Sequence, residues 1–441
     1  MNVQETARQY ISSLARNRDY TWSVFSSYVH MGMNILVQLV LIPIYLHYLS
    51  KEEFGLLMII LGGTNYLGIG IGWVAAGSQR IMGEHASHER TIELLSTYGL
   101  TKGLYLLYAI VTSAVIFAVL WFYLGGEVGF VDLFGPNALY IVVFGFANIL
   151  VMYDLNADRV ALIAVGKQAW AHVLSAVSLF VFACIVIPAM MYESSLSSVM
   201  GALFLGNVVA RIMSFVVMRR NAIVMRLSTR QVVTDLKRLM GRMGGGYALY
   251  GILILTLLQG DTLLLAAMGG ALIVSDYVLI WKGADVILQL LWRLPETLTP
   301  YLIHMDAKGE RHRMQGIYKK ANITMIGLSA LCALLYALFG QAIVELWVGV
   351  EHTPQVSGAF ALAGLGLFWM AIARLPVVYA FSTVRLQPLV AVLGFETIAK
   401  VIIVIALFPF VGLYAPLIAM SVIHVLGVAY LYQNLRRKVF S

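Results

Sequence analysis

Lys282, Asp285, Gln289, Arg293 and Glu296 interrupt an otherwise apolar run, DYVLIWKGADVILQLLWRLPETLTP, from Asp276 to Pro300. On a helix advancing about 100° per residue they share a stripe roughly 80° wide. From Lys282 to Glu296 the stripe climbs roughly 21 Å at about 1.5 Å per residue. That is most of a hydrocarbon core about 30 Å thick. A charge facing lipid at that depth costs at least about 2.5–3.5 kcal/mol. The stripe must therefore face a partner helix or a polar cavity, and two readings fit. Lys282 with Asp285, and Arg293 with Glu296, are spaced to pair on one helix surface as structural glue. Alternatively, the stripe is a cavity wall that handles a polar substrate.

Other apolar runs carry isolated polar groups. Asn207 and Arg211 share a face, Arg374 precedes Pro376, and Glu396 and Lys400 stand four apart as an expected ion pair. Arg211, Arg293 and Arg374 lie about two or three turns from the same end of their runs. A cavity there gathers guanidinium groups at headgroup depth, and their planar forks of donors suit phosphate. Snorkelling to the interface is the alternative for each. His30, Asn34 and Gln38 line one face of the first run, ahead of Pro43. Such a line either bonds to a neighbouring helix or faces a cavity. The candidates for a substrate cavity are thus Lys282, Arg293, Arg374, Arg211, Gln289, His30, Asn34 and Gln38. Asp261, Asp285 and Glu396 are candidates for ion coupling, and Glu396, Lys400 and Glu296 for structural ion pairs.

The elements that must position these groups follow from composition. The chain has 441 residues, 60% hydrophobic and 12% charged, with a mean hydropathy of +0.84. A soluble chain carries about 25% charged residues, so this is a polytopic, all-α membrane protein. Apolar runs of spanning length fall near 24–48, 54–76, 101–124, 138–157, 169–191, 197–218, 245–267, 270–295, 321–345, 357–381, 386–408 and 412–434. Each is near the ~20 residues a bilayer requires. Asp154 and Asp158 at the end of the fourth make it the weakest of them. If the spans alternate, Lys51 alone of the cations outside them falls on one side and the rest fall on the other. The positive-inside rule then places both termini in the cytoplasm. The net charge of +8 is a signal of topology, and nucleic acid is not needed to explain it. Met1–Trp22 does not read as a cleavable leader. Val3, Ala7, Ile11 and Leu14, flanked by Arg8, Arg16 and Arg18, suit a short helix on the membrane surface or a frayed end.

The basic stretch 219–243 divides the spans into equal halves. The expected organisation is a cytoplasmic segment 1–23, an N-lobe 24–218 with spans one to six, the linker 219–243, a C-lobe 244–434 with spans seven to twelve, and a tail 435–441. Two such lobes suggest a duplicated unit enclosing a central cavity, as in many transporters. Several chemistries are absent from the sequence. It contains no GxxxxGK[ST] loop and no GxSxG motif. His85 and His88 lack further ligands at metal spacing, and Cys184 and Cys332 lie in apolar runs. No cofactor is expected.

The segment from Asn34 to Gly72, through Pro43, Tyr45, Leu46, Leu49, Glu53, Phe54 and Gly55 into GGTNYLGIGIG, resembles the opening of polysaccharide-unit (O-antigen type) flippases. These belong to the multidrug/oligosaccharidyl-lipid/polysaccharide exporter superfamily. Gly260–Gly309, with Asp261, Pro300 and the polar end Asp306–Gly309, resembles the start of that family's second half. The resemblance implies a MATE-like bundle of two six-helix lobes in a bacterial inner membrane. The implied cargo is an undecaprenyl-pyrophosphate-linked oligosaccharide, passed from cytoplasmic to periplasmic leaflet. A polysaccharide polymerase and a chain-length regulator are implied partners, beside membrane lipid. Three other functions stay open. An ion-coupled drug or metabolite antiporter of the same fold often uses a first-span carboxylate, which this chain lacks. A peptidoglycan-precursor flippase usually has extra spans. A membrane glycan polymerase or ligase needs a sizeable outer loop, and the outer links here are short.

Overall fold

The computed structural model describes residues 3–119, 137–226, 228–240, 244–296, 298, 302, 305, 311–382 and 386–439. Most of the link Gly125–Asn137, Pro300 and Asp306–Gly309 lie outside the described residues. Thirteen helices and no strands occur among the described residues. They are α1 (Val3–Tyr48), α2 (Lys51–Gly70), α3 (Gly72–Ser87), α4 (Thr91–Val119), α5 (Ala138–Ala164), α6 (Gln168–Tyr192) and α7 (Leu196–Arg220). There follow α8 (Thr229–Arg238), α9 (Gly244–Glu296), α10 (Arg311–Val348), α11 (Ala359–Ser382), α12 (Leu386–Val411) and α13 (Tyr414–Val439).

Ten of them, all but α2, α3 and α8, are long and apolar enough to cross a membrane. In lipid a helix satisfies its own backbone, which is why apolar runs of this length take no other form. The same constraint tolerates Pro43, Pro188, Pro295, Pro376 and Pro409 inside helices. Runs seven and eight are joined in α9, which breaks at Gly270 (φ 77°, ψ −173°). This conformation is open essentially to glycine alone. Counting the limbs of α9 separately and adding α2, every expected span has a helical counterpart.

Four boundaries differ from the sequence reading. The second run ends at Gly70, and Ile71 separates it from α3, because glycines around Ile71 leave the backbone free to break. The N-terminal segment continues into the first span as one helix, and the linker contains α8. The end 435–439 extends α13 as helix.

The chain forms two compact units, 1–48 with 71–248, and 49–70 with 249–441. Helix α2, expected in the first lobe, therefore groups with the second unit. The local reason is close packing on α9: a Cβ at Gly55 would fall 1.9 Å from the Ala271 carbonyl oxygen. In the first unit α5 packs against α3, α4, α6 and α7, and α1 against α6. Its core holds Tyr98, Tyr105, Tyr153, Leu155 and Leu174. In the second unit α11 packs against α10, α12 and α13.

Candidate functional site

The polar stripe on the second limb of α9 is paired but open. Lys282 Nζ donates to Asp285 Oδ2 at 3.0 Å, and Gln289 Nε2 donates to the same oxygen at 3.0 Å. One turn further on, Glu296 accepts from Arg293 at 2.9 Å and from Arg374 of α11 at 2.6 Å. Glu296 is thus shared between two guanidiniums. The Arg374 guanidinium stacks 4.9 Å from the Trp292 ring, whose Nε1 is fixed by the Met370 carbonyl at 3.1 Å. Arg374 Nε is buried without a hydrogen-bond partner among the described residues. Exposure along the stripe runs from 23% at Lys282 to 40% at Arg293. Both sequence readings thus describe part of it, since the charges pair and yet remain accessible.

A second class of charge is closed off. Lys400 and Asp261 are each 2% exposed and pair at 2.8 Å. Lys400 Nζ also donates to the Leu257 carbonyl at 2.6 Å, and Tyr277 Oη donates to Asp261 Oδ2 at 2.6 Å. This corrects the expected Glu396–Lys400 pair. Lysine's long stem carries its ammonium across to α9, where a carboxylate, a carbonyl and a tyrosine surround it. Glu396 instead meets His424 Nδ1 of α13 at 3.3 Å. Room for that carboxylate exists because Gly427 has no side chain: a Cβ there would lie 1.6 Å from Glu396 Oε1.

The first unit holds a cluster of ion pairs at the junction of α4, α5 and α7. Fully buried Asp158 accepts from Tyr98 Oη at 2.5 Å and Ser214 Oγ at 2.7 Å. Lys102 bridges Asp154 at 2.7 Å and Asp158 at 3.2 Å. Arg211 pairs with both carboxylates, its Nε donating to Asp154. Lys102 and Arg211 each pair with both carboxylates, so Arg211 is engaged within the unit. One turn along α7, Asn207 donates to Asn148 at 2.8 Å and accepts from Ser178 at 2.7 Å. On α1, His30 stacks on His172 of α6 with centroids 6.1 Å apart. Asn34 is half-buried. Gln38 Oε1 is buried with no partner among the described residues.

The structure brings Arg374 to the stripe and separates Arg211 and the α1 line into the first unit. Sequence reasoning missed Tyr98, Lys102, Tyr277 and His424 as partners. Asp154 and Asp158, one turn apart on a single face, were the available signal for the first-unit cluster.

Comparison with solved structures gives the fold. The chain has the fold of MATE transporters of the multidrug/oligosaccharidyl-lipid/polysaccharide superfamily. An inward-facing multidrug-resistance MATE transporter matches with a TM-score of 0.69 and 13% identity, over 92% of this chain and 95% of that one. The Vibrio cholerae MATE transporter VcmN in its bent form matches with a TM-score of 0.60 and 15% identity, over 96% and 98%. A superfamily transporter from Pyrococcus furiosus, described as having a binding pocket of reverse polarity, matches with a TM-score of 0.62 and 12% identity, over 95% and 96%. No family model and no curated protein matches the sequence.

Proposed function

We propose that this protein is a transporter that moves an amphiphile with an anionic, sugar-bearing head across the membrane. The undecaprenyl-pyrophosphate-linked oligosaccharide implied by the sequence resemblance is that kind of molecule. The observation that carries the reading is the partly exposed stripe that ends where Arg293 and Arg374 share Glu296. Facing lipid, such groups would be costly at every level; facing a wet passage, they offer hydrogen bonds to hydroxyls along its length. At its end, two partly exposed guanidiniums suit a phosphate. The lipid tail stays in the bilayer throughout. The protein is a carrier and catalyses no covalent step.

A second reading has its own support. The matched structures include multidrug-resistance transporters, and an antiporter of a drug or metabolite would also use an accessible polar stripe. For the Pyrococcus furiosus protein, a binding pocket of reverse polarity was taken to suggest a different function. The two readings separate in proteoliposomes. Flipping of a fluorescent polyprenyl-pyrophosphate oligosaccharide should occur, and Arg293→Gln with Arg374→Gln should slow it by at least about tenfold, the loss of one charge-assisted bond. Uptake of cationic dyes with no flipping of the glycolipid would favour the antiporter and overturn the first reading.

A further inference from the structure

The segment between α7 and α9 carries charge that transport does not use. Along α7, Leu205, Val209, Ile212 and Val216 are exposed, forming the stripe that meets lipid. It ends at Arg219 and Arg220, both exposed, with the Arg219 guanidinium 4.3 Å from the Phe215 ring. The headgroup layer therefore begins here. The chain is then pinned to α4, where Arg226 N donates to the Leu95 carbonyl at 3.4 Å and Ser228 N to Ser96 Oγ at 3.2 Å.

Helix α8 sorts its residues by face. Inward, Asp235 is fully buried. It accepts from Thr97 Oγ1 at 2.6 Å and Gln231 Nε2 at 3.0 Å, with His85 Nε2 at 3.6 Å. Arg238 pairs with Glu84 at 2.8 Å, and Leu239 fills the space over Gly77. Outward, Arg230, Val233 and Lys237 recur at steps of three and four, Met240 follows just past the helix, Arg226 stands in the non-helical stretch before it, and all are exposed. Asp235, the one carboxylate of α8, is thus hidden, and the exposed face carries cations, apolar groups and the neutral Thr229 and Thr234, with no anion. None of Arg219, Arg220, Arg226, Arg230 and Lys237 has a carboxylate partner among the described residues.

We propose that this outer face is a lipid-surface site, seated on the anionic headgroups of the leaflet next to which α7 ends. Two observations select that occupant. The segment leaves α7 just past Arg220 and is bonded to Ser96 and Thr97 in the first two turns of α4, so α8 is held at the level where both spans end. Exposed Val233 and Met240 in line with cations match a helix lying in the interface, with apolar groups at the acyl boundary and charges among phosphates. A helix bathed in water gains nothing from that arrangement. The site anchors the segment that leads into α9 and does not depend on the cargo.

The test uses the full chain in nanodiscs of phosphatidylcholine alone or of an equal mixture with phosphatidylglycerol. A spin label is placed at Val233→Cys in a Cys184→Ser, Cys332→Ser background, and its accessibility to oxygen is compared with that to a nickel chelate. In the anionic discs the label should move to interfacial depth, and high salt should reverse the shift. The triple variant Arg226→Gln, Arg230→Gln, Lys237→Gln should lose it while keeping the parent's thermal unfolding. A cation at an anionic surface is worth about fivefold in partition, so three together change seating by roughly a hundredfold. A label equally open to the chelate in both discs, as a soluble protein partner would require, overturns the proposal. So does a triple variant that shifts as the parent does.

Discussion

At the scale of single residues, the membrane-depth charges divide by access. Lys282, Asp285, Arg293, Glu296 and Arg374 are paired but partly exposed, whereas Asp158, Asp261, Lys400 and Glu396 are buried. Burial makes the second group unforgiving, because removing one partner leaves the other ionised in a low dielectric. Asp261→Leu should destabilise the protein by about 3–5 kcal/mol. Asp261→Leu with Lys400→Met should recover most of that loss, because the apolar pair leaves no stranded ion. Unfolding of the purified protein in detergent measures both; a double variant as unstable as the single one would contradict the pairing. Spacing on one helix suggested Glu396 for Lys400, and it was wrong for a definable reason. Rules of i, i+4 spacing see a single helix, while the groups that decide here, the Leu257 carbonyl, Tyr277 and Asp261, arrive from another. Internal pairing along α9 was legible because both partners share one helix.

At the scale of elements, hydropathy located nearly every membrane segment, since the bilayer fixes their length and composition. It could not locate breaks. A run of glycines reads equally well as close packing or as a bend, and α2 uses both: Gly55 lies against the Ala271 carbonyl, and the helix stops at Gly70. The break in α9 has a sharper signature in the structure, with Gly270 at φ 77°, ψ −173°. A side chain would meet no neighbour there, so any effect of substitution is conformational. Gly270→Ala should cost about 1–3 kcal/mol. Gly103→Ala, also in open space on a regular helix, should instead be neutral or slightly stabilising. Thermal unfolding of the two variants side by side checks this, and equal behaviour would rule out strain at Gly270.

At the scale of the whole molecule, the two classes of charge suggest a division of labour. Accessible groups on α9 and α11 can exchange partners with a cargo, because water or a phosphate replaces what they release. The buried carboxylates Asp261 and Glu396 cannot meet a cargo headgroup, yet each is held by a group able to change its proton or its partner: Lys400 and Tyr277 for one, His424 for the other. If an ion gradient drives the cycle, these are the places where it acts. The hypothesis predicts that Glu396→Gln, and Asp261→Leu combined with Lys400→Met so that no ion is stranded, will leave cargo binding within about twofold of the parent, since less than 0.5 kcal/mol is expected from surfaces they do not touch. The acceleration of flipping by an imposed proton or sodium gradient should disappear in at least one of them. Arg293→Gln should do the reverse, weakening binding while preserving the response of the remaining flux to the gradient. Proteoliposomes with and without a gradient give both quantities from one preparation. Flipping by the parent that ignores every imposed gradient would remove the coupling role from Asp261 and Glu396 and leave them as braces within the second unit.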